Sequence, residues 1–166
     1  MKDGRTVLVH EAKEEDAPAI QEVVEKVAME GRFIVPETSR KDWDAAIREI
    51  RAREALPVVA SVDGKIVGMA YIVRGKFAKE SHVGSLGICI QKEFRGLGIG
   101  NALMHYLMEW TEKTGLEKVS LTVFSTNKPA IRLYAKFGFQ IEGIRRKQFK
   151  VKGKYVDEVI MGKFLR

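Results

Sequence analysis

The stretch that most limits how this chain can fold is Gln91 to Asn101, Q-K-E-F-R-G-L-G-I-G-N. Before it, Val83 to Ile90 is rich in glycine and β-branched residues and reads as a strand. After it, Ile99, Leu103, Tyr106, Leu107 and Trp110 recur at helical spacing. The chain must therefore pass from strand to helix through a turn that contains Gly96, Gly98 and Gly100. Such glycines reach backbone conformations closed to other residues and let main chain approach a ligand. The first N–H groups of the following helix have no partner inside it, and the helix dipole favours an anion at that end. Arg95 adds a cation at the mouth, so the segment is expected to cradle a phosphate.

Spacing excludes the two commonest phosphate loops. No G-x-x-x-x-G-K-[ST] occurs. Read from Gly96 as G-x-G-x-x-G, the third glycine position falls on Asn101, and Ser125 and Thr126 stand where an acidic residue should follow the next strand.

Around this turn the periodicities predict a complete α/β order. Thr6 to His10 reads as a strand. Asp16 is a candidate cap for a helix carrying Ile20, Val23, Val24 and Val27, and the Gly31 to Thr38 segment with Pro36 breaks it. Trp43, Ala46, Ile47 and Ile50 mark a second helix. Val58 to Val62 and Lys65 to Val73 flank Asp63-Gly64, a strong hairpin signal. After the helix that starts near Ile99, which Gly115 is expected to end, Val119, Leu121 and Val123 alternate as a strand. Asn127 and Pro129 open a short helix that stops at Gly138. Phe139 to Arg145 and Tyr155 to Met161 close the chain as two strands turning at Lys152-Gly153. The order βααβββαβαββ predicts an α/β (α+β) domain spanning residues 1–166, with a mixed, mostly antiparallel sheet of about seven strands flanked by helices.

Composition narrows the function classes. Cys89 is the single cysteine, so no internal disulfide is available, and His10, His82 and His105 match no metal-ligand spacing; no metal is expected. No apolar run is long enough to span a bilayer and no secretory signal is expected, which makes the cytoplasm the default location. The net charge of +7 is unevenly placed, with acids concentrated in Glu11 to Glu30 and bases in Gln140 to Arg166. A basic balance attracts polyanions, of which nucleic acid and a phosphorylated cofactor are two, while a solvated surface needs no ligand at all.

Two segments together resemble one family. R-G-L-G-I-G-N-A-L is similar to the pyrophosphate-binding signature [RQ]-x-x-G-x-[GA] of the GNAT superfamily of N-acetyltransferases, with Arg95, Gly98 and Gly100 at the matching positions. N-K-P-A-I-R-L-Y-A-K-F-G-F, from Asn127 to Phe139, resembles its second cofactor segment, N-x-x-A-x-x-L-Y-x-x-x-G-F. The tail with Gly153, Tyr155, Asp157 and Met161 resembles members that acetylate amino acids, polyamines or protein N-termini.

The resemblance implies acetyl-CoA as co-substrate and a primary amine as acceptor. It implies that Ile88, Cys89 and Ile90 line the pantetheine arm on a strand that splays from Val119 to Phe124. It further implies that the amides of Arg95, Gly96, Leu97, Gly98, Ile99, Gly100 and Asn101 hold the pyrophosphate, and that Asn127 bonds to the pantetheine. Lys136 is a candidate for the 3′-phosphate, with a solvated helix face as the alternative. Tyr134 falls at the general-acid position, and also on the apolar face of its helix. Some relatives carry a glutamate base where this chain has Ser85; His82, Glu30, Glu37 and a water chain remain candidates. The acidic first helix suggests that Glu30 and Glu37, bracketing Phe33, draw the acceptor's amine. A cysteine with no adjacent histidine argues for an inert Cys89 rather than an acyl-enzyme. The competing class is a non-catalytic acyl-CoA-sensing or nucleic-acid-binding module; nucleic acid and membrane are not expected, and a homodimer is the default assembly.

Overall fold

The computed structural model describes Met1, residues 3–33, Ala45, Arg48 and residues 55–165. Seven strands form one sheet in the order β1-β2-β3-β4-β5-β7-β6. They are β1 (Val7–Glu11), β2 (Leu56–Val62), β3 (Lys65–Arg74), β4 (Val83–Ile90), β5 (Lys118–Phe124), β6 (Gln140–Val151) and β7 (Lys154–Phe164). Helices α1 (Ala17–Met29), α2 (Ile99–Thr111) and α3 (Lys128–Lys136) accompany them. Of the second helix expected near Trp43 to Ile50, only Ala45 and Arg48 are described, both helical; the rest of that expectation lies outside the described residues.

Alternation along the strands feeds two cores. On β2, Val58, Ala60 and Val62 pack on one side with α2, whose Ile99, Leu103, Met104 and Leu107 are fully buried. On the other side, Val59 and Met69 meet Ile20 and Val24 of α1. A strand buried on both faces needs apolar residues at every position, which V-V-A from Val58 supplies. Each fully buried Leu or Ile contributes about 1.5–3 kcal/mol relative to exposure.

Both hairpins use the dihedrals their sequences call for. Asp63 and Gly64 have φ of 50° and 77°, and Lys152 and Gly153 have 46° and 79°. Two successive left-handed residues match the right-handed twist of the paired strands.

Asp16 stands at the N-cap position of α1 as expected, but its side chain makes no bond into the helix; a 3-10 turn, Glu14–Asp16, precedes α1, and Asp16 Oδ2 accepts from the Lys13 amide at 2.8 Å. One expected boundary moves: Gly115 does not end α2, which stops at Thr111. There Thr111 Oγ1 donates to Met108 O at 2.6 Å and Thr114 Oγ1 to Thr111 O at 2.9 Å, so hydroxyls take up the last carbonyls before the glycine.

The sheet is antiparallel throughout except between β4 and β5. That parallel ladder is short, running only from Val83↔Lys118 to Ser85↔Ser120. Beyond Ser85, β4 stays bonded to β3 as far as Ile90↔Gly68, while its β5-facing edge has no strand partner. A wedge therefore opens in the middle of the sheet, and its wide end points at the glycine turn.

Candidate active site

The wedge is a cavity of about 650 Å³ running from the glycine turn to β6. At the turn, Gly96 has φ of 74° and Gly98 has φ of 101°, both in the left-handed region. A Cβ at either would meet no protein atom within 4 Å, so the space in front of the turn is left open by the protein. The α2 ladder begins with Ala102 N donating to Gly98 O at 3.1 Å. Among the described residues, no amide from Gly96 to Asn101 donates to a protein acceptor. Backbone donors of this kind require partners, and a phosphate is a fitting one at a helix start.

Gly100 differs from its two neighbours. Its φ is not left-handed, and a Cβ there would lie 2.9 Å from Leu133 Cδ2 and 3.5 Å from Ile90 Cδ1. It lets α2 pack close to α3 and β4, a packing role that the alternate-glycine pattern does not distinguish from ligand approach.

Arg95 is held on every side. Its Nε donates to Ile90 O at 2.8 Å, and Nη1 and Nη2 donate to the two carboxylate oxygens of Glu30 at 2.8 and 2.6 Å. Its guanidinium lies 4.5 Å from the Phe33 ring centroid. The arginine hydrogen bonds hold Glu30's carboxyl below its ordinary range. Three residues read from the sequence for two different ligands are thus one cluster: Glu30 and Phe33 fasten the segment after α1 to the phosphate turn. Glu37 lies outside the described residues. His82 is not brought to the cavity; it is exposed at the far end of β4, where its carbonyl accepts from the Glu117 amide at 2.9 Å.

Asn127 caps α3 through Oδ1, which accepts from the Ala130 amide at 3.3 Å. The cap leaves Nδ2 without a protein partner among the described residues while Asn127 borders the cavity. Lys136 Nζ donates to Asn101 Oδ1 at 2.8 Å, tying the end of α3 to the start of α2.

Tyr134 is 7% exposed, packs 6.1 Å from Phe139 between ring centroids and still lines the cavity. Its hydroxyl has no protein partner among the described residues. Burial pushes the phenol well above its ordinary range, and nearby Cys89 adds to the shift. Burial likewise raises the Cys89 thiol to about 11, against a smaller opposing pull from Arg95. At neutral pH both groups keep their protons, and a thiol so raised is a poor nucleophile.

Several lining residues carry no sequence signal of their own. Tyr71 on β3 lies across Gly87 of β4; a Cβ at Gly87 would come within 2.5 Å of the tyrosine ring. A glycine facing an aromatic on the neighbouring strand is the pattern that would have found it. Ser85, Ser120 and Thr122 contribute hydroxyls, and Arg145 reaches the cavity from β6. Among the described residues the lining contains no Asp or Glu.

The family model for the Acetyltransferase (GNAT) family matches residues 18–139, which contain the unpaired amides, the β4–β5 wedge and Tyr134. The chain belongs to the GNAT family. The L-amino acid N-acetyltransferase AaaT of Escherichia coli (strain K12) is 30% identical over 159 residues, covering 95% of this chain and 97% of its own length. An acetyltransferase of the GNAT family from Streptococcus pneumoniae has the same fold, with a TM-score of 0.89 at 27% identity over 96% of this chain and 100% of its own. The yncA protein from Salmonella typhimurium, solved with its cofactor acetyl-CoA, shares the fold with a TM-score of 0.90 at 18% identity over 97% of this chain and 95% of its own. As a GNAT member the chain is an acetyl-CoA-dependent N-acetyltransferase, and acetyl-CoA is its co-substrate. The family resemblance and the expected fold class both hold: the mixed, mostly antiparallel seven-stranded sheet is the GNAT sheet.

Proposed function

We propose that this GNAT chain, as one domain over residues 1–166, acetylates a primary amine of a small molecule or a protein N-terminus by direct attack in a ternary complex. The observation that carries the reading is one cavity that joins the unpaired amides of Gly96 to Asn101, the free edge of β4 and the Tyr134 hydroxyl.

Acetyl-CoA supplies a thioester whose acetyl group an amine can accept. Gly96 to Asn101 bind the pyrophosphate through main-chain N–H groups. The β5-facing edge of Ile88, Cys89 and Ile90 aligns the pantetheine arm as an added strand would be aligned, and its N–H groups are placed to stabilise developing negative charge on oxygen. Asn127 Nδ2 is a further donor along the same path. Arg95, engaged by Glu30, shapes the turn rather than offering a free cation. Lys136 stands at the edge of the site as a candidate for the 3′-phosphate.

Tyr134 holds its proton at Oη and gives it to the departing sulfur. Burial keeps the phenol protonated at neutral pH, so the proton is present when the thiolate leaves, and the proton shed by the nitrogen that has formed the amide bond restores the phenol. The acceptor amine, with an ordinary pKa near ~10, must arrive neutral. No carboxylate lines the described cavity and Ser85 is a hydroxyl, so in this reading the amine sheds its proton to water rather than to a dedicated carboxylate base.

The chain acts in the cytoplasm and as a homodimer in this reading. A lone cysteine suits a reducing compartment, no helix among the described residues is long and apolar enough to cross a membrane, and two-fold dimers are the commonest closed assembly. Nucleic acid is not a partner in this reading: Arg146 is engaged by Asp157, and Lys147 and Lys150 sit over Tyr155 at 5.4 and 5.6 Å. The name of the E. coli relative makes an amino acid the first acceptor to assay. The test is thiol release from acetyl-CoA with a panel of amines. Turnover with at least one amine is expected; acetyl-CoA binding with no turnover on any amine would establish the non-catalytic module instead.

A further inference from the structure

We infer that Arg145, held by Glu158, is the subsite for a carboxylate on the acceptor, so that the substrates are amines that also carry a carboxylate rather than polyamines or lysine side chains. This rests on the acetyl-transfer reading above and names the acceptor class for it.

The argument starts from charge. Two charged side chains line the cavity among the described residues, and both are guanidiniums: Arg95 at the phosphate turn and Arg145 at the other end. Arg95 has three of its five N–H donors engaged, by Ile90 O and both oxygens of Glu30, and both oxygens of a carboxylate already fill its fork, with Phe33 against its face. Arg145 is not filled in this way. Its Nη1 donates to Glu158 Oε2 at 2.7 Å, and no other hydrogen bond from its guanidinium to protein is seen among the described residues. The Arg145 side chain is 57% exposed while Glu158 is 7% exposed. The carboxylate therefore sits behind the arginine and fixes it, and the remaining N–H donors are left to the cavity. That is the geometry of a positioned fork, which matches a carboxylate in two parallel bonds.

The strands explain the aim. Glu158 on β7 is registered against Phe124 of β5 on one side and Arg145 of β6 on the other. Immediately after Arg145 the β6–β7 register slips, with Lys147 at φ of 51° and its amide donating to Asp157 Oδ1 at 2.7 Å. Arg146 turns to Asp157 at 2.8 Å, so of the two adjacent arginines only Arg145 faces the cavity.

A polycation entering this space would meet a guanidinium and no lining carboxylate. A carboxylate-bearing amine presents the opposite charge to Arg145.

The test compares an α-amino acid with its own α-carboxamide as acceptors for the full-length enzyme at saturating acetyl-CoA. Wild type should prefer the acid by about 10–100-fold in kcat/KM, the scale of a charge-assisted hydrogen-bonded pair that is partly exposed. The preference should reside in KM. Arg145→Gln should reduce it to less than about threefold, while KM for acetyl-CoA is unchanged. Because Arg145→Gln strands a buried Glu158, Arg145→Gln/Glu158→Gln and Arg145→Lys are measured beside it. The double variant should lose the preference, and the lysine, a point charge without the planar fork, should keep part of it. Wild type that favours the amide or a polyamine, or a folded double variant that keeps the full preference for the acid, overturns the subsite and leaves acetyl transfer intact. No thiol release with any amine overturns acetyl transfer and the subsite together.

Discussion

The two ends of the cavity are made of different materials. At the phosphate end the ligand-facing groups are main-chain amides, six consecutive residues from Gly96 to Asn101 that a strand-to-helix turn leaves unpaired. At the acceptor end they are side chains from strands distant in sequence: Tyr71 of β3, Ser85 of β4, Ser120 and Thr122 of β5 and Arg145 of β6. The first end is defined by local conformation. It works for any side chains that permit the turn, and it recognises a group common to every reaction of the family. The second is defined by register across the sheet, so one residue's shift would exchange its contents for those of the opposite face. In the proposed reading the common substrate is held by backbone and the variable one by side chains. Arg95, Glu30 and Phe33 tie the segment after α1 to the phosphate turn.

This contrast can be broken by substitutions that act on one end only. The largest expected effect lies where the ends meet. Tyr134→Phe removes one hydroxyl and keeps the ring that packs on Phe139; general acid catalysis is worth about 10²–10⁴-fold, so kcat should fall on that scale with acetyl-CoA affinity unchanged. In wild type, kcat should show no loss of Tyr134's acid form as pH rises through 10, because burial has raised the phenol above its ordinary range. Rates across pH at saturating acceptor check both statements. An unchanged kcat makes Tyr134 a packing residue.

At the phosphate end, Gly98→Val and Gly100→Val should separate two uses of glycine. Gly98 has open space in front of it and φ of 101°. Valine there should weaken acetyl-CoA binding by roughly tenfold or more while costing ~1–2 kcal/mol of stability through the left-handed backbone. Gly100 faces Leu133 Cδ2. Valine there should overpack the α2–α3 contact and cost about 1–3 kcal/mol. Calorimetry with CoA and thermal melts distinguish a binding change from a folding one.

The smallest effect is expected at the connection. Glu30→Gln removes a partly exposed ion pair whose contribution is on the order of 1 kcal/mol. Arginine holds Glu30's folded pKa below the unfolded value, so the stabilisation is present above that unfolded value and is lost as pH falls through the folded one. Wild type should therefore lose its advantage over Glu30→Gln below about pH 4.5, in acid unfolding monitored by circular dichroism. Equal stability of the two proteins at pH 7 would show that the clamp does not fasten the α1 segment.

The same difference of materials explains what the sequence revealed. The fold was readable because its signals are local: period-2 alternation in β5, helical spacing in α2, and the Asp63-Gly64 and Lys152-Gly153 turns with their left-handed pairs. The glycine turn was readable for the same reason, since its left-handed conformations at Gly96 and Gly98 are written as glycines in one short stretch. Arg145 was not. It stands in the run R-R-K, which reads as a basic surface, and a bulge beside it disrupts the alternation that would assign Arg145 and Arg146 to opposite faces. Glu30 was legible as an acid near the site but not as Arg95's partner, because their 65-residue separation closes only when α1 and the β4 turn pack together. Gly115 misled at the end of α2 because the Thr111 and Thr114 hydroxyls take up the last carbonyls before it, whereas Asp16 marked the start of α1 although its side chain bonds back to the Lys13 amide.

The division of labour between backbone and side chains is tested most directly by amide and arginine Nε NMR of the ¹⁵N-labelled protein, titrated first with CoA and then with an α-amino acid. The account predicts that CoA moves the amides of Gly96 to Asn101 together and leaves Arg145 Nε in place, and that the amino acid then moves Arg145 Nε without displacing those amides. Movement of Arg145 by CoA alone, or amides at Gly96 to Asn101 that stay still at saturation, would contradict it.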